Sequence, residues 1–568
     1  MSLVIGIDLG TSTTEAAVFR DGKPEMILNL DGEAITPSAV GIDAAGNWVA
    51  GSRAKAQALL EPQNTAIEVK RKTGSGETIQ LGKASYTPVA LQARLLSHVR
   101  TYASEYLGQS VDRAVISVPA YFNNIQRMET VSAGRQAGFT VERILNEPTA
   151  AALSYGLDHM EEESHVLVYD LGGGTFDVTL LEMFEGVLEV KASSGDNQLG
   201  GKDFDERLME TLLNRFSAKH GKNLRTDRFA MVHLKEEAEK CKIALSEQDS
   251  YEVLLPALTT VKGAPVEMRE TVTRAQFEEM TRDLLSRTHQ PIDTVLTDAK
   301  LSEDDIDRII LVGGSTRMPM VARDIRDYLG QEPVRAVHPD YAVSMGAAIQ
   351  AGIISGEIRP EEGLIMTDVC PYSLGIRTDD DGMANFMSVI IPRNTTIPVA
   401  RTEVYQTSSD GQRAVEVDIF QGESIQVSNN QPLGNFTIDG VPPAPAGYQK
   451  LDVEFAYDMN GILNVRAMLH ANRKEMSIRI DMKNAPDGKD QEDVSAWKDA
   501  KDAKAYRAVI RTAERLLSGG KDLDPNQREW LEDLLYRLKK AIMEEETVRA
   551  KELETDLSRL IRQLREDV

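Results

Sequence analysis

Residues 168–179 read VYDLGGGTFDVT, and this stretch decides the fold. The residues on both sides of the three glycines are apolar or β-branched, which is typical of two short strands. Three consecutive glycines weaken a sheet, so they indicate a tight turn or a close approach of another group to the backbone. A row of backbone N–H groups binds anions, a threonine hydroxyl adds a donor, and two aspartates can hold a metal ion through water. Alone, the stretch fits a phosphate-binding turn or a plain hairpin.

A second copy of the pattern opens the chain. Residues 3–19 read LVIGIDLGTSTTEAAVF, with the same order of strand, Asp, Leu, Gly, Thr and strand that residues 166–180 have. An internal repeat of this kind predicts two related halves with facing turns, although two unrelated hairpins can share the pattern by chance. A phosphate chain between the two turns would contact one set of residues from each copy: Gly10, Thr11 and Ser12 from the first, and Gly172, Gly173, Gly174 and Thr175 from the second.

The composition disfavours several classes of protein. The chain has 568 residues, of which 41% are hydrophobic and 27% charged, as in an ordinary globular protein of several domains. Its formal charge of −25 disfavours nucleic acid and anionic membranes as partners, because both would repel it. We expect no membrane span and no signal peptide, because the apolar runs are short and no basic region precedes them. The two cysteines, Cys241 and Cys370, are far apart, so we expect no disulfide framework and a reducing, cytoplasmic location.

Strands alternate with helices over the first part of the chain. Apolar residues follow a helical period over residues 88–107 with Gly108 as a stop, and residues 111–118 and 309–312 are typical of buried strands. This alternation predicts an α/β layer architecture. From residue 370 the apolar period becomes two, and Asn460-Gly461 is typical of a type I′ hairpin, which predicts a separate all-β domain. From about residue 494 the period is helical again.

Three aspartates beside the proposed phosphate turns favour a metal ion. No GxxxxGK[ST] motif occurs in the sequence, so a P-loop mechanism is excluded. Asp8, Asp170 and Asp177 are too many carboxylates to lie bare beside phosphate. They fit Mg²⁺ with its waters, or potassium. Hydrolysis would also need a positive charge for the transition state and a positioned water.

Eight motifs follow one another along the chain: IGIDLGT at 5–11, VKR at 69–71, VPAYFN at 118–123, NEPTAAALSYG at 146–156, DLGGGTFD at 170–177, GDNQLGGKDFD at 195–205, VGGSTRMP at 312–319 and GAAIQAG at 346–352. In this order they resemble the 70-kDa heat-shock chaperones of the DnaK class. The resemblance implies an actin-like ATPase of two lobes that close on ATP or ADP. It divides the chain into an ATPase domain (1–360), a linker (361–369), a β-sandwich substrate-binding domain (370–485) and a helical lid (486–568).

The resemblance also implies roles for single residues. Lys70 resembles the lysine that orients the attacking water, although Lys-Arg-Lys runs are usually exposed. Glu147 and Asp170 resemble the acidic pair near the metal and that water, with Asp8 and Asp177 nearby, and Thr175 resembles the threonine that contacts the γ-phosphate. The remaining nucleotide-binding residues implied by the motifs lie on both sides of the cleft: Gly200, Gly201, Glu239, Lys242, Ser246, Gly313, Gly314, Ser315, Arg317 and Asp340.

Further residues match the family's relay to its partners. Pro119 and Arg127 resemble the proline and arginine that pass the nucleotide state outward, and Arg143 and Asp368 resemble residues tied to J-domain stimulation and linker docking. Leu364 and Ile365 belong to an apolar patch that is either a stray strand or the docking segment. Five residues would line the slot for an extended hydrophobic segment of an unfolded client, or else belong to the sandwich core: Leu374, Ile376, Tyr405, Val415 and Val417.

The sequence also departs from the best-known members of the family. The region between Lys70 and Pro119 is shorter, and residues 367–377 read TDVCPYSLGIR, which is most similar to the HscC-like branch. These differences bear on the nucleotide-exchange factor and on lid closure. The sequence therefore predicts an ATP-dependent chaperone that works with unfolded clients and a J-domain protein. Two other hypotheses are a sugar-kinase-like phosphotransferase on the same fold, and a holdase or exchange factor for another chaperone.

Overall fold

A computed structural model describes residues 3–156, 159, 163–184, 187–261, 263–335, 338–359, 365–380, 383–457, 463–480, 497, 503–518 and single helical positions between 531 and 561. The chain forms two compact units, Met1–Asp487 and Gly488–Val568. The predicted hairpin at Asn460-Gly461 and the linker residue Leu364 lie outside the described residues, and of Ile365 only the backbone is described.

The first part of the chain builds a sheet flanked by helices. Its elements are β1 (Val4–Leu9), β2 (Thr13–Arg20), β3 (Lys23–Met26), β4 (Ile35–Pro37), β5 (Ala39–Ile42), β6 (Trp48–Ala50), α1 (Ser52–Leu60), β7 (Thr65–Ile67), β8 (Ile79–Leu81), β9 (Ala84–Tyr86), α2 (Pro88–Leu107), β10 (Arg113–Val118), α3 (Asn124–Gln136), β11 (Thr140–Asn146) and α4 (Glu147–Gly156). The main sheet has the order β11-β10-β1-β2-β3, with β4 paired to β2. Helix α2 begins after the cap Thr87 and ends at Gly108 in the left-handed conformation, as the sequence predicts.

The next part repeats this plan. Its elements are β12 (Ser164–Leu171), β13 (Phe176–Phe184), β14 (Val187–Asp196), α5 (Gly201–His220), α6 (Arg228–Glu247), β15 (Ser250–Val261), β16 (Ala264–Thr273), α7 (Arg274–Ser286), α8 (His289–Ala299), β17 (Arg308–Val312), α9 (Pro319–Leu329), β18 (Val334–Arg335) and α10 (Ala342–Ser355). The second main sheet has the order β18-β17-β12-β13-β14, followed by a short sixth strand.

The two main sheets share one topology. In each, a glycine-turned antiparallel hairpin (β1–β2 or β12–β13) carries a parallel strand on the side of its first strand, β10 or β17. Helices α4 and α10 pack against each other, and Gly346 of α10 allows this because a Cβ there would overlap the backbone of Ala150. The repeated hairpins therefore bring their two glycine turns to the cleft between the halves.

The remaining described part of the first unit is built mainly from strands joined by loops: β19 (Ile365–Met366), β20 (Asp368–Val369), β21 (Leu374–Asp380), β22 (Met383–Ile391), β23 (Thr396–Ile397), β24 (Val399–Gln406), β25 (Ala414–Gln421), β26 (Gln431–Asp439), β27 (Lys450–Tyr457), β28 (Leu463–Leu469) and β29 (Glu475–Ile480). They form two four-stranded antiparallel sheets, β22-β21-β25-β26 and β24-β27-β28-β29, around one apolar core. The period-two pattern of the sequence is realised in β28, where buried and exposed residues alternate. We call residues 368–480 the β-rich region.

The second unit is helical where it is described. Helix α11 (Ala503–Ser518) buries Ala503, Tyr506, Ile510 and Ala513 on one face, at the spacing that the sequence predicts. These residues form one apolar cluster with Trp497 and with leucines between 531 and 557. Among the residues described, no helix is long and apolar enough to cross a membrane.

Candidate nucleotide site

The two glycine turns face each other across a cavity of about 450 Å³. A Cβ on Gly173 would overlap the Ser12 hydroxyl, and a Cβ on Gly174 would lie 2.7 Å from Cγ2 of Thr11. The turns approach so closely only because these positions lack side chains. The residues expected from the sequence that line the cavity come from both halves: Asp8, Gly10, Thr11, Ser12, Lys70, Glu147, Asp170, Gly172, Gly173, Thr175, Glu239, Lys242, Ser246, Gly313, Gly314, Ser315, Arg317 and Asp340.

Lys70 is buried at the cavity and pairs with Glu147. Its Nζ lies 2.5 Å from Oε1 of Glu147, and only 6% of Lys70 is exposed. The ring of Phe122 lies 5.6 Å from the ammonium. A surface position, which the Lys-Arg-Lys run would suggest, is therefore wrong for Lys70. Its neighbour Lys72 is the exposed member of the run and pairs with Glu77 on the surface.

Buried carboxyls surround this ion pair. Burial, together with the charge of Glu147, raises the pKa of Asp8 to about 7, although Lys70 opposes the rise. Burial likewise raises the pKa of Asp177 to about 7 and the pKa of Asp170 well above its ordinary value. Strands β12 and β13 place Asp170 and Asp177 opposite each other in register. So many desolvated acids in one place favour a bound cation, which would hold them ionised.

The geometry limits how such a cation is held. Within the described ranges, no three His, Cys, Asp or Glu side chains converge closely enough to hold one metal ion between them. Mg²⁺ keeps several waters and binds proteins through few direct carboxylates. The donor set of Asp8, Asp170 and Asp177 therefore fits a hydrated Mg²⁺, whose waters would bridge to the carboxylates.

The wall formed by α6 carries a network of charges. Lys242 donates to the carbonyl of Gly201 at 3.0 Å and pairs with Asp205 at 2.9 Å, and Lys202 pairs with Glu239 at 3.2 Å. Although burial opposes it, the ammonium groups of Lys202, Lys55 and Lys242 lower the pKa of Glu239 to about 2. Glu239 and Lys242 are thus held in place by ion pairs and line the cavity, rather than forming a solvated helix face.

The opposite wall follows β17. Gly313 adopts a positive φ of 85°, and a Cβ there would lie 2.5 Å from the carbonyl oxygen of Leu171. The Ser315 hydroxyl donates to the carbonyl of Gly172 at 2.8 Å, and Arg317 pairs with Asp340. This segment is therefore fixed directly to the glycine turn of the second hairpin.

Four expected residues lie behind the cavity rather than in its lining. Gly200 packs against Gly174, and the backbone N–H of Gly201 donates to the carbonyl of Gly172 at 2.9 Å. These glycines let the start of α5 pack onto the turn, so they shape the site from outside. Asp177 is buried, and its Oδ1 accepts a hydrogen bond from the backbone N–H of Tyr121 at 3.1 Å.

A chain of side chains links the site to the segment after β19. Asn146 donates to both carboxylate oxygens of Asp368, at 2.8 and 3.0 Å, and accepts from Arg127 at 2.5 Å. Burial raises the pKa of Asp368, while the nearby guanidinium groups of Arg127 and Arg143 oppose the rise. Arg143 itself donates to Gln350 at 3.0 Å. Asn146, which contacts Asp368, directly precedes Glu147, which pairs with Lys70.

Pro119 begins a loop that Arg127 holds. Arg127 donates to the carbonyls of Ala120, at 2.9 Å, and of Phe122, at 3.0 Å. Phe122 is the residue whose ring lies beneath Lys70. The loop that follows Pro119 is therefore fixed between Arg127 and the ion pair.

The β-rich region and β19, the short strand before it, contact the sheets that carry the site. Strand β19 pairs in parallel with β14, Val187 with Ile365 and Leu188 with Met366. The Arg393 guanidinium holds both carboxylate oxygens of Asp298 at 2.9 Å. The carboxamide of Gln421 accepts from the backbone N–H of Asn124 at 2.9 Å. The apolar patch at Ile365 is thus a strand docked on the second sheet.

The five expected slot residues divide into two groups. Leu374, Ile376 and Val417 are buried in the core between the two sheets, whereas Tyr405 and Val415 are half-buried at its margin. The Tyr405 hydroxyl lies 2.9 Å from that of Ser388. Only the second group reaches the surface.

Several residues of the site escaped the sequence analysis. Glu15 is buried in the cavity wall, and burial together with Asp8 and Asp340 raises its pKa well above the ordinary value. Arg71 joins the two halves through Asp203 at 2.5 Å. Arg71 and Asn146 stand inside the quoted motifs, which was a usable signal. Glu15 follows two threonines in a strand and carries no such signal.

A comparison with protein-family models matches the chain to the family described as Hsp70 protein, over residues 4–568. Members of this family are ATP-dependent chaperones that bind ATP or ADP with Mg²⁺ and generally work with unfolded clients, J-domain proteins and exchange factors. The family implies an actin-like ATPase domain, a β-sandwich and a helical lid. The match spans nearly every residue, and the chain belongs to the Hsp70 family.

Proposed function

We propose that this protein hydrolyses ATP in the cavity between the glycine turns and uses the nucleotide state to control the binding of extended hydrophobic segments of unfolded proteins. The observation that carries this proposal is the continuous connection from Lys70 through Glu147 and Asn146 to Asp368. Such a connection is expected where one ligand biases two arrangements of linked domains. A phosphotransferase or a passive holdase gives no reason for it.

In this proposal the turn residues bind the phosphates and the walls bind the nucleoside. Backbone N–H groups of Gly10 to Ser12 and of Gly173 to Thr175 would cradle the phosphate chain. Gly172, whose own N–H donates to the carbonyl of Thr175 at 3.0 Å, would close the second turn. Glu239, Lys242 and Ser246 on one wall, and Gly313, Gly314, Ser315, Arg317 and Asp340 on the other, would hold the adenosine and its phosphates. Gly174, Gly200 and Gly201 would permit the close packing of the turn.

The ion pair would perform the chemistry. Lys70 and Glu147 would orient the attacking water, with Asp170 beside it, and the Lys70 ammonium would stabilise negative charge that develops on the transferred phosphoryl group. Asp8, Asp170 and Asp177 would hold Mg²⁺ through its waters, and when bound it supplies charge neutralisation for the phosphates; potassium is a second candidate. Thr175 would contact the γ-phosphate and report its presence.

The relay would run through the loop of Pro119 and Arg127 to Asn146, and from there to Asp368 and the docked strand β19. Arg143 would belong to the surface on which a J-domain protein acts, and Leu364 and Ile365 would belong to the linker segment that docks on the second sheet. A client segment would lie against Tyr405 and Val415, with Leu374, Ile376 and Val417 as the floor beneath. We propose an HscC-like specialised member, on the basis of the residues around Cys370, with the domain boundaries expected from the sequence.

The test is ATP turnover with and without a saturating unfolded peptide and a J-domain protein. We expect peptide to accelerate hydrolysis by the wild-type protein. Thr175→Ala should bind ATP but lose both the fast rate and the response to peptide, whereas Thr175→Ser, which keeps the hydroxyl, should retain both. If no peptide or J-domain protein changes the rate of the wild-type protein, the proposed coupling is wrong.

A further inference from the structure

Tyr372 of the β-rich region reaches the loop beside the nucleotide site. Its hydroxyl donates to the backbone carbonyl of Tyr121 at 2.8 Å, and the two rings lie 4.6 Å apart with an interplanar angle of 39°. Burial raises the pKa of the Tyr372 hydroxyl, and the charge of Asp177 adds to the rise. The hydroxyl therefore stays protonated and acts as a donor here.

Tyr121 connects this contact to Asp177 within a single residue. Its N–H donates to Oδ1 of Asp177 at 3.1 Å, while its carbonyl accepts from Tyr372 and also from the Asn197 carboxamide at 2.8 Å. Both backbone groups of Tyr121 are thus engaged, one on the side of the nucleotide site and one on the side of the β-rich region. A displacement of the carbonyl would displace the N–H that orients the carboxylate.

Within the described part of the chain, the Tyr121 N–H is the hydrogen-bond donor that fixes the Asp177 carboxylate. It stands opposite Asp170 in the β12–β13 register, and its charge raises the pKa of that residue. Its position therefore affects the carboxyls that we assign to hydrated Mg²⁺. By contrast, the pair between Arg393 and Asp298 attaches the β-rich region to α8, which contributes no residue to the cavity lining.

We propose that Tyr372 is a positioning residue, which couples attachment of the β-rich region to the orientation of Asp177 and thereby to the binding of Mg²⁺ with nucleotide. This inference rests on the proposed function. While the β-rich region is attached, the tyrosine hydroxyl fixes the Tyr121 carbonyl and the adjoining N–H. When that region departs, Asn197 alone holds the carbonyl, the loop gains freedom, and Asp177 loses its fixed orientation.

The test uses the full chain and measures its melting temperature with ADP at increasing Mg²⁺ concentration. The Mg²⁺ concentration that gives half of the maximal stabilisation is the Mg²⁺ midpoint. Tyr372→Phe keeps the ring and removes the hydroxyl. A hydrogen bond contributes about 0.5–1.5 kcal/mol, so we expect this Mg²⁺ midpoint to rise roughly two- to tenfold. ADP binding without Mg²⁺ should not change. Tyr328→Phe is the control, because it too removes a donating tyrosine hydroxyl, one that donates to the carboxylate of Asp293 at 2.6 Å, and Tyr328 does not line the cavity.

Two results would overturn the proposal. One is an unchanged Mg²⁺ midpoint in Tyr372→Phe, and the other is an equal shift in Tyr328→Phe. A second arm repeats Tyr372→Phe in an Arg393→Ala background, where attachment is weakened; there the shift should shrink, and a full shift would contradict coupling through attachment. This test measures Mg²⁺ and ADP binding rather than hydrolysis, so it gives a result even if the wild-type protein has no ATPase activity. Absence of that activity would refute the proposed function, whereas an unchanged Mg²⁺ midpoint would refute the role of Tyr372.

Discussion

The ammonium of Lys70 lies 2.5 Å from the carboxylate of Glu147, and both side chains are buried. Removal of one partner from a buried ion pair leaves an uncompensated charge, which costs about 3–5 kcal/mol. The pair therefore persists only because the surrounding structure supports it. Its position in the cavity wall makes it the first target for mutation.

Lys70→Ala should abolish most of the hydrolysis. We expect the single-turnover rate to fall by about 10²-fold, the effect typical of losing one preorganised charge, while ADP affinity changes much less. Rapid-quench kinetics and calorimetry measure the two quantities. Lys72→Ala is the control from the same basic run, because Lys72 pairs with Glu77 at the surface. A comparable loss in both variants would contradict the assignment.

Gly173→Ala should weaken nucleotide binding. Its new methyl group would overlap the Ser12 hydroxyl, so the two turns would be pushed apart. Gly172→Ala is the matched control, since a Cβ there meets nothing closer than 3.6 Å. We expect ADP affinity to fall at least tenfold, about 1.4 kcal/mol, in the first variant only. Equal affinities in the two variants would argue against facing turns.

Arg393→Ala should loosen the β-rich region. Hydrogen bonds to charged groups contribute about 1.5–3 kcal/mol each, and Arg393 makes more than one to Asp298. Hydrogen exchange at the backbone amides of β19 should accelerate about tenfold or more. Arg377→Ala removes a comparable pair, with Asp418 at 2.6 Å, inside the β-rich region, and should leave β19 protected. If the β19 amides exchange equally fast in both variants, the pair between Arg393 and Asp298 is not what attaches the β-rich region.

The stability of the nucleotide-free protein should depend on Asp177. Its pKa is about 7 in the folded protein against 3.8 as the ordinary value. Between these two pH values Asp177 is protonated in the folded chain but ionised in the unfolded chain. The contribution of Asp177 to the free energy of unfolding is therefore fully present below about pH 4 and is lost as pH rises through about 7. Asp177→Asn has no carboxyl group to ionise at this position, so it avoids this loss of stability at higher pH. The variant should therefore gain melting temperature relative to the wild type between pH 5 and pH 8.

Mg²⁺ with ADP provides the control for that experiment. Charged carboxylates favour the cation, so the wild-type protein should regain stability at pH 8 when both are added, and Asp177→Asn should regain less. An Asp177→Asn variant with the same pH profile as the wild type would show that the carboxyl is ionised without cost.

The sequence was informative wherever backbone geometry depends on residue type. The glycine turns, the stop of α2 at Gly108 and the repeated hairpins follow from local physics, and the eight motifs led to the residues of the cavity. The burial of Lys70 did not follow from its local sequence, because a run of three basic residues is usually solvated. Its environment is made by Glu147 and Phe122, which belong to other elements.

Contacts between distant segments were also beyond the sequence. Asn124 and Gln421 are 297 positions apart, and no local pattern indicates that they meet. Glu15 was missed because a polar residue in a strand usually faces solvent, whereas its register opposite Asp8 turns it into the cavity wall. The five slot residues show another limit of the sequence. An alternating apolar pattern is typical both of the core of a β-sandwich and of a peptide-binding groove, so it does not distinguish them.

The pairing of β19 with β14 has a consequence for solubility. Strand β14 closes one side of the second sheet, and the two residues of β19, with the N–H of Thr367 donating to Leu188 at 3.0 Å, occupy part of its outer backbone. A bare strand edge is a template for pairing with another chain. A shortened chain that ends before Ile365 would leave that edge open, so we expect β19 also to protect the second sheet against self-association.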